Sequence, residues 1–140
     1  MFNQIKFDVH FSIVSNSENK NILNKNIKFL GYIADPQSLI DIYDEHNIMI
    51  LPSYTEASPY VVDESLSRKR PVIIFEDIDY IVRDKKGIFV IKRDIDSFLK
   101  TTKYIMENYL EIQKNIEKNI LPTKKDMIKQ ISDIIKFQNP

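Results

Sequence analysis

Apolar and polar positions alternate at the start of the chain. In Ile5–Val14 (IKFDVHFSIV), Ile5, Phe7, Val9, Phe11 and Ile13 face one way and Lys6, Asp8, His10 and Ser12 the other. That period of two predicts a strand with one wet face. Ser15–Asn26 is polar and Asn-rich, a loop or frayed helix, and Ile27–Ile33 (IKFLGYI) predicts a second short strand. Asp35-Pro36 then marks a helix start, because Asp caps and Pro lacks only an N–H that the first turn does not use. Leu39, Ile42, Tyr43 and His46 follow on one helical face. The continuous apolar run Asn47–Leu51 (NIMIL) predicts a strand buried on both faces of a parallel sheet.

Ser58-Pro59 repeats the cap-then-Pro signal and predicts a helix to about Arg68. Pro71–Phe75 (PVIIF) reads as another buried strand and Gly87–Ile91 (GIFVI) as a short one. From Ile95 the period turns helical, with Phe98, Ile105, Tyr109, Ile112 and Ile116 on one face of a helix that ends at Leu121-Pro122. Thr123 with Asp126 forms a start resembling a capping box, followed by Met127, Ile131, Ile134 and Ile135 at helical spacing. Strands alternating with helices predict an α/β fold, an open, parallel, doubly wound, Rossmann-like sheet with helices on both faces. No linker, low-complexity segment or internal repeat divides residues 1–140, which are read as one domain.

Composition narrows the chemistry. The 20 Lys and Arg balance the 20 Asp and Glu, which argues against nucleic acid as the main partner. The absence of cysteine excludes a disulfide scaffold and a thiolate metal site. Gly31 and Gly87 are the only glycines, so neither a dinucleotide fingerprint nor a P-loop can be written. No apolar run approaches the ~20 residues that span a bilayer, and the N-terminus shows no signal-peptide apolar region. These features predict a soluble, cytoplasmic protein without a membrane span.

In an open parallel sheet, ligands bind beyond the carboxyl ends of the strands. The loop after NIMIL, Pro52-Ser53-Tyr54-Thr55-Glu56-Ala57-Ser58, is the better candidate because it runs into a helix N-terminus, where free N–H groups favour a phosphate. Glu56 lies in that loop and Glu64 on the helix behind it. Two acceptor-only carboxylates suit the vicinal hydroxyls of a sugar or a ribose. The other loop, Glu76-Asp77-Ile78-Asp79, is less well placed. Asp77/Asp79 and Asp94/Asp96 have a metal-binding DxD spacing, but the first pair reads as a polar loop and the second as helix caps. His10 and His46 are isolated, with surface or capping roles, and Arg68-Lys69-Arg70 sits where a helix C-terminus favours cations.

The segment Ile50–Ile74 (ILPSYTEASPYVVDESLSRKRPVII) resembles the donor-site core of the group-1 family of GT-B glycosyltransferases. That core reads as apolar strand, Pro-Ser, two residues, Glu, seven residues, Glu and a Pro-Val-Ile strand. Here Pro52-Ser53, Glu56, Glu64 and Pro71-Val72-Ile73 fall in register. The resemblance extends over Ile27–Lys92, including the helix with Tyr43 and the strand after Gly87. It implies the C-terminal half of a GT-B fold, a nucleotide-sugar donor, and retaining hexosyl transfer in glycan or cell-surface polysaccharide biosynthesis without a bound metal or cofactor. Glu64 would bind the ribose hydroxyls and Glu56, as the catalytic-site carboxylate, the transferred hexose. Ser53, Ala57, Ser58, Tyr60 and Val61 would line the donor, partly through backbone N–H groups.

The sequence departs from the family at three places. Ala57-Ser58-Pro59 replaces Gly-Phe-Gly, and Lys69 stands where a Gly commonly precedes the Pro-Val strand. The chain also starts at what would be the domain's second strand, without the basic residues that neutralise the diphosphate. An N-terminal acceptor domain or partner chain is therefore an expected partner. The alternative is a non-catalytic, glycosyltransferase-like interaction module, and another sugar-nucleotide enzyme such as an epimerase shares the fold class.

Overall fold

The computed structural model describes residues 9–16, 25–57, 59–123, 125–126, 128–129 and 132. Along the chain come β1 (Phe11–Val14), β2 (Ile27–Gly31), α1 (Pro36–Glu45), β3 (Met49–Leu51), α2 (Tyr60–Ser67) and β4 (Val72–Phe75). A 3-10 segment (Glu76–Ile81), β5 (Ile88–Ile91), α3 (Ile95–Glu107) and α4 (Tyr109–Ile116) follow. All strand pairings are parallel, and helices alternate with strands from β2 to β5, as the hydrophobic pattern predicts.

Among the described residues the strands form two sheets rather than one, β1-β2 and β3-β4-β5. β4 is the middle strand of the larger sheet, paired with β3 from Met49↔Val72 and with β5 from Val72↔Ile88. Successive β4 side chains point to opposite faces, yet Val72, Ile73, Ile74 and Phe75 are all buried, so both faces are covered. Val62 and Leu66 of α2 and Phe98, Ile105, Ile112 and Ile116 of α3 and α4 belong to the same core. Each such side chain contributes about 1.5–3 kcal/mol by leaving water.

Four sequence expectations are corrected. Met49–Leu51 is only half-buried, not enclosed on both faces, because β3 lies at the edge of its sheet. Ser12 is half-buried rather than on a wet face: its Oγ meets His46 Nε2 at 2.8 Å, while His46 Nδ1 lies 2.7 Å from the Ile42 carbonyl at the end of α1. The long C-terminal helix breaks at Asn108, whose backbone and side-chain N–H groups both donate to the Tyr104 carbonyl. The backbone bond is the last rung of α3; the side-chain N–H shares the same carbonyl, and Asn108 turns out of the helical region at φ −115, ψ 19, which separates α3 from α4. The loop after β4 is a 3-10 segment that buries Ile78 and Ile81.

Other local expectations hold. Asp35 caps α1 by accepting from Ser38 N at 2.7 Å, with Pro36 as its first residue. Asp94 caps α3 in the same way through Ser97 N. Thr123 and Asp126 exchange the reciprocal bonds of a capping box. The predicted strand positions Ile5 and Phe7, and the apolar positions Met127, Ile131, Ile134 and Ile135, lie outside the described residues.

Candidate functional site

β3 delivers the chain to Pro52 at the carboxyl end of the larger sheet. α2 begins at Tyr60, with Pro59 as a cap that makes no side-chain bond, so Pro59 precedes the helix instead of opening it. Ser58, expected to cap α2 and bind donor, lies outside the described residues. Val62 and Leu66 are one helical turn apart and buried. Glu64, two residues from each, therefore turns to the exposed side of α2.

Both carboxylates are oriented by neighbours. Ser53 Oγ donates to Glu56 Oε1 at 2.6 Å. The Tyr80 hydroxyl brackets the Glu56 backbone, accepting from its N–H at 3.0 Å and donating to its carbonyl at 2.6 Å. Glu64 Oε2 accepts from the Tyr43 hydroxyl of α1 at 3.1 Å, and the same hydroxyl lies 3.3 Å from the Val61 carbonyl. Burial, with the Glu64 charge beside it, pushes the Tyr43 phenol above its ordinary value, so it stays a donor. Tyr60, at the first position of α2, is exposed, as are Ala57 and Val61.

Arg93 and Tyr80, which the sequence reading passed over, shape this loop together with Tyr54, to which it gave no role. Arg93 donates from Nη1 to the Pro52 carbonyl at 3.1 Å, from Nη2 to the Ser53 carbonyl at 2.6 Å and from Nε to Asp77 Oδ2 at 2.7 Å. Its guanidinium carbon lies 3.8 Å from the centre of the Tyr54 ring and 4.3 Å from that of Phe75. Tyr80 and Tyr54 complete the set. No local spacing links Arg93 to a loop 40 residues earlier. Its position immediately after β5, in a parallel sheet, was the signal available.

The remaining candidates settle into structural roles. Asp77 is the ion-pair partner of Arg93 and Asp94 is a helix cap. Arg68 pairs with Asp44, and Lys69 with Glu117. Arg70 donates to the Tyr43 and Asp44 carbonyls at the end of α1. A hollow of about 490 Å³ lies among these basic residues, and one of about 330 Å³ beside Gly87 and Tyr104. Neither is lined by Glu56, which is half-buried, or by Glu64, which is exposed. Among the described residues no group of three or more His, Cys, Asp or Glu could hold a metal ion, and no helix is long and apolar enough to cross a membrane.

The sequence profile of the family described as Glycosyl transferases group 1 matches residues 2–108. The chain belongs to that family. No curated protein matches it. For a group 1 glycosyl transferase, the matched span includes β1 to β5, both carboxylates and Arg93. The resemblance seen around Glu56 and Glu64 is thus part of a family-wide match, and parallel sheets with covering helices agree with the Rossmann-like half of a GT-B fold.

Proposed function

We propose that this chain binds a nucleotide sugar as the donor half of a retaining glycosyltransferase. One observation carries the reading: Glu56 lies in the loop leaving the carboxyl end of β3 and Glu64 on α2 behind it, each oriented by a hydroxyl on one oxygen. A carboxylate has about four lone-pair sites, so each can also accept from substrate hydroxyls. Glu64 takes the ribose hydroxyls and Glu56 the hexose. Ser53, Ala57, Ser58, Tyr60 and Val61 line the diphosphate and sugar between them, with the start of α2 favouring negative charge.

The exposure of Glu64, Ala57, Tyr60 and Val61 supports the rest of the proposal. A donor held on one wall needs a second wall to exclude water, so turnover requires an acceptor domain or partner chain. Transfer proceeds without a metal or cofactor, in the cytoplasm, toward a cell-surface glycan.

Amide chemical-shift mapping with millimolar UDP-glucose and GDP-mannose tests the reading. Shifts confined to residues 52–64 are expected, with binding weakened about tenfold or more in Glu64→Ala. A wild-type spectrum indifferent to both nucleotide sugars would refute it.

A further inference from the structure

We infer that Arg93 is a positioning residue that sets the carboxylate of Glu56 for contact with the donor sugar. The inference rests on the donor-site reading above. Arg93 stands between β5 and the cap of α3, two elements anchored in the core by Ile91 and Phe98. Its three donor nitrogens diverge in one plane to Asp77, Pro52 and Ser53, and aromatic rings stand against it at Tyr54 and Phe75. Only a guanidinium offers several fixed donors together with a flat surface for aromatic stacking; a lysine ammonium does not.

The route from Arg93 to the carboxylate is short. Arg93 fixes the Ser53 carbonyl, and the hydroxyl of the same residue holds Glu56 Oε1. Tyr80 pins the backbone of Glu56 from the other side. The loop is therefore held at both ends. Asp77 compensates the Arg93 charge at 2.7 Å. Three of the five guanidinium N–H groups are thus committed, two to loop carbonyls and one to Asp77, which ties Arg93 to the loop.

The test compares affinities for UDP-glucose and UDP, and for GDP-mannose and GDP, in wild type, Arg93→Lys, Tyr80→Phe, Glu56→Gln and the Arg93→Lys/Glu56→Gln double variant. Arg93→Lys is expected to weaken binding of the nucleotide sugar about tenfold and to leave the bare nucleotide nearly unchanged. Tyr80→Phe should shift the same ratio in the same direction. The double variant should lose no more than Glu56→Gln alone, because Arg93 acts through Glu56. Amide exchange at residues 53–57 should quicken in Arg93→Lys while β4 stays protected.

Equal losses for sugar and bare nucleotide, additive losses in the double variant, or unchanged ratios would overturn the inference and leave the donor reading standing. A wild-type chain that binds no nucleotide sugar would overturn the donor reading, and this inference with it.

Discussion

The Tyr43 hydroxyl on α1 donates to Glu64 Oε2 on α2 at 3.1 Å, so the carboxylate proposed for ribose is oriented by a residue from the preceding helix. Tyr43→Phe removes only that hydroxyl. Stability is expected to fall by about 1 kcal/mol, measured by urea unfolding, and nucleotide affinity to fall severalfold by titration. The raised phenol pKa gives a further check. Because Tyr43 remains neutral when folded, its stabilisation is complete below the ordinary tyrosine value of 10.0 and is lost as pH rises above it. Wild type should therefore lose stability with rising pH above 10.0 while Tyr43→Phe, which has no group to ionise there, does not show that loss.

Lys69 sits at φ 58 just beyond α2, in the left-handed region that glycine adopts most easily. Lys69 N donates to the Leu66 carbonyl and Arg70 N to the Ser65 carbonyl, the paired bonds of a Schellman ending. The left-handed ending thus forms here without glycine. A side chain in the left-handed region is strained by contact with its own carbonyl. Lys69→Gly should therefore stabilise the fold by about 0.5–1 kcal/mol, since the exposed Lys69–Glu117 ion pair contributes little. Thermal unfolding of the single variant checks the sign.

What was legible in the sequence were features carried by neighbouring residues. Asp35-Pro36, the PVIIF run and Asp94 each specify an element through local chemistry, and each appears where expected. The Pro-Ser-x-x-Glu frame likewise placed Glu56 and Glu64 at the end of a strand and on the helix after it. What was not legible depends on distant partners. The break at Asn108 arises from a side chain bonding back to Tyr104 within a pattern whose apolar period is uninterrupted. The half-burial of β3 depends on its edge position, and a strand's own residues do not record which neighbours it has. Arg93, Tyr54 and Tyr80 meet the Glu56 loop only after β3, β4 and β5 have aligned.

The caps predict an acid response. Asp35 is held below the ordinary carboxylate value chiefly by its side-chain bond from Ser38, and Asp94 by the Ser97 backbone N–H and then the Ser97 hydroxyl. A lowered folded pKa gives stability that is present above the ordinary value of 3.8 and is lost as pH falls through the folded one. Asp35→Ala and Asp94→Ala should each lower Tm at neutral pH. The gap to wild type should narrow below pH 3.8 and close once the native caps protonate. A gap that is constant down to pH 2 would show that the side chains contribute through something other than their charge.

Gly87 links the candidate half of the sheet to its C-terminal cover. Its φ of 86 lies in the left-handed region, and its carbonyl accepts from Val72 N at 2.8 Å, joining it to the start of β4. A Cβ at this position would stand 2.3 Å from Ile116 Cγ1, 2.6 Å from Ile116 Cδ1 and 3.3 Å from Leu66 Cδ2. Ile116 is buried and β-branched, so it has little freedom to rotate away, and Leu66 closes the other side. Gly87→Ala thus combines backbone strain with overpacking between α2 and α4. The expected loss is about 2 kcal/mol or more, readable as a lower urea midpoint. The companion variant Gly87→Ala/Ile116→Ala separates the two effects. Space returns when Ile116 is shortened, so the clash should vanish while the strain at φ 86 remains. The second substitution should consequently cost far less in the Gly87→Ala background than in wild type. Equal costs in the two backgrounds would show that Ile116 does not confine residue 87.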